Sequence, residues 1–379
     1  MCRLKDRRSP LIYQRELSLF ALLWLVALPG CGGRPRAGVG TRVSGTPVRL
    51  VNETPACGIT YQYPALARPL GTKEAFGCGC AFLDYDGDGF QDVLLVAAPH
   101  AWLYRNLGNG HFEDVTQAVG LDKIELDKIE GDWRGCAVGD YDGDGRMDLV
   151  VTNFSGKGFQ LYHGLGRGAF EHQENAVGLA APTFQSLGFG AKWADVDNDG
   201  WPDVLFASGH VYDDPGQIDH FSKFRQPLML FHNEGGKHFT DLAPAIGGDL
   251  ARPILGRGLA AGDYDNDGQV DFLVVDYEGR PLLLHNLTQT SNHWITFDLR
   301  GHAPNVFACG AHLTARAGGK VWAGFVSPAS SYLSSSDPRL HFGPGPVKTL
   351  ESVEIAWPDG RGQVLRAVPA DRILRVEEE

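Results

Sequence analysis

Between residues 79 and 116 short apolar runs alternate with turn residues, a pattern that predicts four strands. The first is Gly79-Cys80-Ala81-Phe82-Leu83, and the second, apolar throughout, is Val93-Leu94-Leu95-Val96-Ala97. The third is Ala101-Trp102-Leu103-Tyr104-Arg105-Asn106 and the fourth His111-Phe112-Glu113-Asp114-Val115-Thr116, with Gly108-Asn109-Gly110 as the turn between them. The second run recurs as Leu149-Val150-Val151, Val204-Leu205-Phe206 and Phe272-Leu273-Val274-Val275. An apolar strand that returns three times marks a repeat, and four antiparallel strands per unit is the pattern of a propeller blade.

Ahead of each of these runs stands one nine-residue phrase, Asp-x-Asp-x-Asp-Gly-x-x-Asp. Its aspartates are Asp84, Asp86, Asp88 and Asp92; Asp140, Asp142, Asp144 and Asp148; Asp195, Asp197, Asp199 and Asp203; and Asp263, Asp265, Asp267 and Asp271. Alternate carboxylates closed by a glycine match a compact calcium loop. Carboxylate oxygens come from positions 1, 3, 5 and 9, and the backbone carbonyl of position 7 (Phe90, Arg146, Trp201 or Gln269) adds a further ligand. Two such carboxylates about 4 Å apart repel by about 1 kcal/mol in water and about 4 kcal/mol at an effective dielectric near 20. A loop holding four of them therefore needs a cation. Ca2+ is favoured over Mg2+, which keeps its waters and takes few carboxylates. The sequence predicts about four such sites.

The fourth-strand segment counts the repeats independently. Phe112 to Leu121 aligns without gaps to Phe170 to Leu179 and to Phe239 to Gly247, whereas repeat four has no such segment. Leu50-Val51-Asn52-Glu53-Thr54-Pro55-Ala56-Cys57-Gly58-Ile59 fits the same frame, so the N-terminal strand is expected to pair with repeat four. The expected fold is all-β: a small four-bladed β-propeller over 48–290, its ring closed by that strand. After residue 291 the alternation of Ile295, Phe297 and Leu299, then of Val353, Ile355 and Trp357, predicts a β-sandwich-like domain over 291–379.

Two insertions break the repeat. Residues 121–130 are a perfect tandem of Leu-Asp-Lys-Ile-Glu and read as a surface loop. Residues 208–227 carry His210, Tyr212, Asp214, His220 and Arg225, which makes them either a structural brace or a ligand loop.

Charge changes the picture only locally. The chain has 46 acids against 34 bases, a formal −12, but sixteen aspartates sit in the four phrases, leaving thirty acids against 34 bases. No basic stripe is present, so nucleic acid is not an expected partner. At the N-terminus, Arg3, Lys5, Arg7, Arg8 and Arg15 precede a twelve-residue, mostly apolar stretch, Leu17 to Leu28, too short to span a bilayer but suited to a signal peptide. The run Leu28-Pro29-Gly30-Cys31 resembles a bacterial lipobox, so 1–31 reads as a lipoprotein-type signal peptide, Cys31 as the lipidated residue and 32–47 as a flexible tether. The chain is thus expected to be exported to a bacterial cell envelope, periplasmic or cell-surface, with a membrane contact through lipid. Of the remaining cysteines, Cys80 and Cys136 occupy an apolar packing position before the loops, and Cys57 with Cys78 leaves a disulfide open. No CxxC or CxxCH is present, so zinc, thiol redox and haem attachment have no support.

In the C-terminal region Asn292-His293-Trp294-Ile295, Gly310-Ala311, the stretch Ser331-Tyr332-Leu333-Ser334-Ser335-Ser336-Asp337-Pro338-Arg339-Leu340-His341-Phe342-Gly343 and Trp357-Pro358-Asp359-Gly360 resemble the ASPIC/UnbV domain. That domain follows FG-GAP/VCBS-type repeats in cartilage acidic protein-like proteins. The resemblance implies an exported calcium-binding repeat protein of adhesive or scaffolding type, with an unidentified protein or glycan as ligand and no established enzymatic activity. Asn305 to Cys309 departs from the acidic/Gly turn of relatives. Ser331, Ser334, Asp337 and His341 include the residue types of a serine hydrolase, but no Gly-x-Ser-x-Gly elbow accompanies them and neighbours along a strand face opposite ways. No catalytic residue is assigned. The competing expectation is an envelope polysaccharide-active enzyme with the 208–227 loop at its cleft.

Overall fold

The computed structural model describes residues 48–63, 79–83, 88, 90–97, 100–118, 136–144, 146, 148–153, 155–156, 158–166, 169–217, 220–327 and 329–379. The leader with Cys31, the 32–47 tether, the 121–130 tandem, Cys78 and the loop residues Asp84 and Asp86 lie outside them.

The fold is all-β. After β1 (Leu50–Asn52), repeat one supplies β2 (Gly79–Leu83), β3 (Asp92–Ala97), β4 (His100–Asn106) and β5 (Phe112–Asp114). Repeat two supplies β6 (Cys136–Gly139), β7 (Asp148–Val151), β8 (Gln160–Gly166) and β9 (Ala169–His172). Repeat three gives β10 (Gly188–Ala194), β11 (Asp203–Ser208), β12 (Met229–Asn233) and β13 (Phe239–Asp241), and repeat four gives β14 (Gly256–Gly262), β15 (Asp271–Asp276) and β16 (Leu282–Asn286). Within each repeat consecutive strands pair antiparallel.

The N-terminal strand supplies what repeat four lacks. β1 pairs antiparallel with β16, Leu50 opposite Asn286 and Asn52 opposite Leu284. Just beyond it the Thr54 hydroxyl accepts the Leu283 N–H at 2.7 Å, as the Thr116 hydroxyl accepts that of Leu103 at 3.0 Å in repeat one. The shared frame read from the sequence is therefore a shared hydrogen bond.

The cores lie between sheets. Val150, Leu161, Trp193 and Phe231 join repeats two and three; Leu205, Leu230, Leu259 and Phe272 join three and four; Phe82, Leu95, Leu273 and Leu283 join four and one. Each fully buried side chain of this size contributes roughly 1.5–3 kcal/mol. The first strands pack in the same order, β6 on β10, β10 on β14 and β14 on β2.

The C-terminal residues form β17 (His293–Arg300), β18 (His312–Ala317), β19 (Lys320–Phe325), β20 (Ser334–Ser335), β21 (Leu340–Gly345), β22 (Thr349–Ala356), β23 (Gly362–Pro369) and β24 (Arg372–Glu377). Two sheets, ordered β21-β17-β24 and β19-β18-β22-β23, share one core of Ile295, Phe297, Leu313, Val353, Ile355 and Trp357. β20 belongs to neither. It joins the sheet of repeat one, parallel to β2, with Cys80 opposite Ser334.

That strand is the centre of a strap. The hydroxyls of Ser331, Ser334 and Ser336 accept the N–H groups of Ala191, Leu259 and Ala261 at 3.1, 3.0 and 3.2 Å. The Asp337 N–H donates to the Ala261 carbonyl at 3.0 Å. One segment thus satisfies the exposed edges of first strands in three repeats, edges that would otherwise present unpaired amides. Cys57 and Cys80 are buried free thiols, and Cys78, the partner the sequence left open for Cys57, lies outside the described residues. Burial pushes the Cys80 thiol up to about 12, which suits its reading as a packing residue.

Candidate metal loops and the cleft beside them

Each Asp-rich phrase runs from the end of a first strand to the start of a second, and its side chains fold back on its own backbone. In the third loop the Asp195 carboxylate accepts the N–H groups of Asp199 and Gly200 at 3.0 and 2.9 Å, and Asp199 accepts that of Trp201 at 2.9 Å. The fourth repeats this pattern with Asp263, Asp267 and Gln269, and the second with Asp140, Asp144 and Arg146. In the first loop Phe90 N–H donates to Asp88 at 2.9 Å. Two positions need left-handed backbone. Position 6 has it at Gly200 and Gly268 (φ 95° and 87°), and position 4 at Gly143, Asn198 and Asn266 (φ 70°, 58° and 60°). Position 4 carries only Gly or Asn, the residues that tolerate it.

The ninth aspartate is a clamp. Asp203 is fully buried; one oxygen accepts the Val196 N–H at 3.0 Å and the other the Asn233 N–H at 2.8 Å, tying loop, second strand and third strand together. Asp148 does the same for Tyr141 and Gly164, and Asp271 for Tyr264 and Asn286. Asp92 accepts the Asn106 N–H at 2.7 Å.

Ligand atoms of Asp140, Asp142 and Asp148, and of Asp195, Asp197 and Asp199, each fall within 4.8 Å of one another. Asp197 Oδ1 is buried with no hydrogen-bond partner. Burial and mutual repulsion push Asp195 well above the usual carboxylate range, Asp197 to about 7 and Asp199 to about 6. Burial also raises Asp263 to about 7, against the pull of Arg339. An orphaned buried oxygen among repelling carboxylates fits a hard divalent cation with oxygen ligands.

The third strand adds residues the phrase does not contain. His163, His232 and His285 each bring a ring nitrogen to the loop carboxylates, at 3.1 Å from Asp148, 2.9 Å from Asp203 and 3.1 Å from Asp265. Burial, the largest single influence, lowers His232; the Asp203 hydrogen bond together with the charges of Asp203, Asp197 and Asp199 outweighs it and raises the ring to about 9. Arg105 stands at this place in repeat one, 3.7 Å from Asp88. The signal is visible once Tyr104-Arg105-Asn106, Tyr162-His163-Gly164, Phe231-His232-Asn233 and Leu284-His285-Asn286 are aligned.

The C-terminal region grips the third and fourth loops. Arg339 pairs with Asp337 and donates to Asn266 Oδ1 at 2.7 Å and to the Asp263 carbonyl at 2.8 Å. His341 lies between the Thr296 hydroxyl and Asn198 Oδ1 at 2.9 and 2.8 Å. Because the Asn198 amide NH2 donates to the Gly268 carbonyl, its Oδ1 is the acceptor; His341 Nε2 therefore donates to it and Nδ1 accepts from Thr296. Burial and Arg339 hold this imidazole down to about 4. Beside these contacts lies a cleft of about 570 Å³ whose walls include Lys192, Trp193, Trp322 and Phe342.

The structure does not assemble a triad from Ser331, Ser334, Asp337 and His341. Each is committed to a different partner, the serines to backbone amides, Asp337 to Arg339 and His341 to Thr296 and Asn198. In the 208–227 insertion His210 is fully buried, with its carbonyl near the buried Arg257 guanidinium, and Arg225 pairs with Glu278 at 2.7 Å. Tyr212, Asp214 and His220 are exposed.

Repeated β-sheets, each led by an aspartate loop and strapped by a two-sheet C-terminal region, define a class of aspartate-loop repeat protein. Family models agree: the FG-GAP-like repeat matches residues 84–151 and 140–206, and ASPIC and UnbV matches 301–379. The chain is 28% identical over 288 residues to cartilage acidic protein 1 of Mus musculus, covering 73% of this chain and 41% of that protein. It is 28% identical over 272 residues to the Homo sapiens protein, covering 69% and 37%. A solved structure of the Photorhabdus luminescens Tc holotoxin pore matches at 19% identity and TM-score 0.26, covering 62% of this chain and 10% of that one. The chain belongs to the FG-GAP repeat proteins with a C-terminal ASPIC/UnbV domain, the cartilage acidic protein-like family. It spans about two fifths of the length of the curated relatives it matches. Among the described residues no helix is long and apolar enough to cross a membrane.

Proposed function

We propose that the chain is an exported, calcium-rigidified four-bladed propeller that serves as an adhesion, scaffold or ligand-binding module rather than an enzyme. The observation that carries this reading is the third loop, where an unpartnered buried Asp197 oxygen faces carboxylates held well above their ordinary range. Calcium supplies the missing charge there, coordinated by carboxylates of positions 1, 3, 5 and 9 with the position-7 carbonyl. The four-blade ring is supported by neighbour cores in the order two, three, four, one and by β1 on β16. Residues 1–31 act as the export signal, with Cys31 as the lipid attachment point to a bacterial envelope. The domain division at 290/291 is part of this reading, with the strap as the bond between the two parts.

Thermal melts in calcium and in chelator test it. The expected result is a melting temperature lowered by several degrees in chelator and restored by calcium; identical melts remove the central claim. A polysaccharide-active enzyme has less support, because His210 is buried and Arg225 is held by Glu278.

A further inference from the structure

The cleft between the first strands of the repeats and the C-terminal region carries an unusual charge arrangement. Its acids are already engaged. Asp140, Asp195 and Asp263 accept N–H groups of their own loops, and Asp337 is bound by Arg339. His341 uses both ring nitrogens. Lys192 differs. It reaches the cleft from the middle of β10, and its ammonium lies 3.0 Å from the Ser330 hydroxyl. No carboxylate among the described residues lies within ion-pair distance of it. Ser330 Oγ is in turn 3.2 Å from Ser336 Oγ. An ammonium has three donors; one neutral hydroxyl, with Asp337 acting only from beyond ion-pair distance, leaves this half-buried cation incompletely compensated.

We infer that this cleft is a binding site for a small carboxylate-bearing ligand, whose carboxylate pairs with Lys192 and is hydrogen-bonded by Ser330, while its ring rests against Trp193, Trp322 and Phe342. The volume of about 570 Å³ suits one sugar-sized or aromatic ring, and an apolar aromatic wall with a few placed polar groups is the usual build of a small-ligand site. The site's cation arrives on a rigid strand, and its hydroxyl on the strap that crosses three repeats, so both are positioned before the ligand enters. Desolvation, opposed in part by the charge of Asp337, brings the Lys192 ammonium down to about 8. The inference rests on the ligand-binding reading above and names the chemistry of the ligand.

A rival use of the same atoms is nucleophilic, with neutral Lys192 taking the Ser330 proton. The test separates the two. Calorimetric titration of the calcium-loaded protein at pH 6.5 would use D-glucuronate, D-glucose and benzoate as probes. Glucuronate is expected to bind at least tenfold more tightly than glucose, and Lys192→Met is expected to abolish that preference. Benzoate binding as tightly as glucuronate identifies a general organic-acid site; glucuronate alone binding identifies an acidic-sugar site. Both keep the carboxylate anchor.

Equal affinity for glucuronate and glucose, no binding of either acid, or an undiminished preference in Lys192→Met overturns the proposal. So does a stable covalent adduct at Ser330 after treatment with a fluorophosphonate, which assigns the pair to nucleophilic chemistry. If Lys192→Met does not fold, the wild-type preference at pH 6.5 and pH 9.5 reads the same charge: it must fall at the higher pH, and a constant ratio refutes the assignment. Because calcium-dependent melting is measured on the same sample, failure of the cleft is distinguishable from failure of the metal loops.

Discussion

The second and third aspartate loops share one phrase and one set of backbone hydrogen bonds but differ in burial. In loop three Asp197 and Asn198 are buried, because Gly343, Gly345 and Asn292 of the C-terminal region lie against the turn. In loop two Gly143 and Asp144 are exposed. The consequence is electrostatic: in loop three Asp195, Asp197 and Asp199 are all pushed upward by burial and by one another, and in loop two burial raises Asp148. A conserved-looking ligand pattern within one chain thus gives unlike sites once a neighbour desolvates some copies. Loops three and four are where the C-terminal region lies against the repeats.

The strongest way to break the comparison is to place a methyl group where the C-terminal region touches a loop. At Gly268 a Cβ would lie 2.0 Å from Trp294 Cε2, on backbone with φ 87°. Gly268→Ala is expected to cost on the order of 3–5 kcal/mol, combining left-handed strain with displacement of an indole. Gly143→Ala is the control in the open loop. There φ is 70° and the nearest atom, Trp201 Cζ3, lies 3.3 Å away, so the cost should be about 1–2 kcal/mol. Urea melts of both variants in calcium compare them, and equal losses would mean that the clasp adds nothing.

A smaller effect sharpens the same contrast through pH. Without metal, the carboxyls of Asp197 and Asp263 (to about 7) and Asp199 (to about 6) hold protons in the folded chain that they release near 3.8 when unfolded. Their contribution is complete below about 3.8 and is lost as pH rises through 6 to 7. The gap between calcium and chelator stability should therefore widen by several kcal/mol from pH 4.5 to 7.5. His341 has the opposite sign. Held down to about 4 from 6.5, it stabilises the neutral fold above 6.5 and loses that contribution as pH falls toward 4. His341→Gln should flatten the acid limb of the calcium-loaded curve and leave the calcium–chelator gap in place. A gap that narrows with rising pH would contradict the assigned signs.

Much of this was legible in the sequence because it repeats. The apolar second strands, the Asp phrase and the Thr of the fourth-strand frame each recur, so Leu50–Asn52 could be assigned to repeat four without a structure. The alternation of Val353, Ile355 and Trp357 likewise reports a half-buried strand. What could not be read was non-repeating. Ser331, Ser334 and Ser336 look like a polar turn, and only three dimensions place them on strands more than seventy residues away in sequence. Lys192 sits in an apolar strand with no motif around it, and its meaning depends on Ser330, 138 residues later. His210, read from the sequence as part of either a structural brace or a ligand loop, is fully buried.

The smallest expected effect concerns the third-strand position where repeat one carries Arg105 and the other three carry histidine. Arg105 reaches Asp88 at 3.7 Å, with the two side chains 40% and 32% exposed, a geometry in which water screens the attraction and ordering a long side chain offsets much of it. His232 instead donates to Asp203 at 2.9 Å, with both groups buried. Arg105→Ala should shift stability by less than about 0.5 kcal/mol in chelator, whereas His232→Ala leaves a fully buried carboxylate without its ring partner and should cost about 2–3 kcal/mol. Calcium should then shrink the His232 penalty and leave the Arg105 value unchanged, because an added cation replaces a buried counter-charge but has little to replace at an exposed one. A double-mutant cycle with Asp203→Asn checks this directly: coupling of at least 1 kcal/mol that disappears on adding calcium fits the loop's demand for positive charge. Coupling that persists in calcium would instead make the imidazole a structural partner independent of the ion.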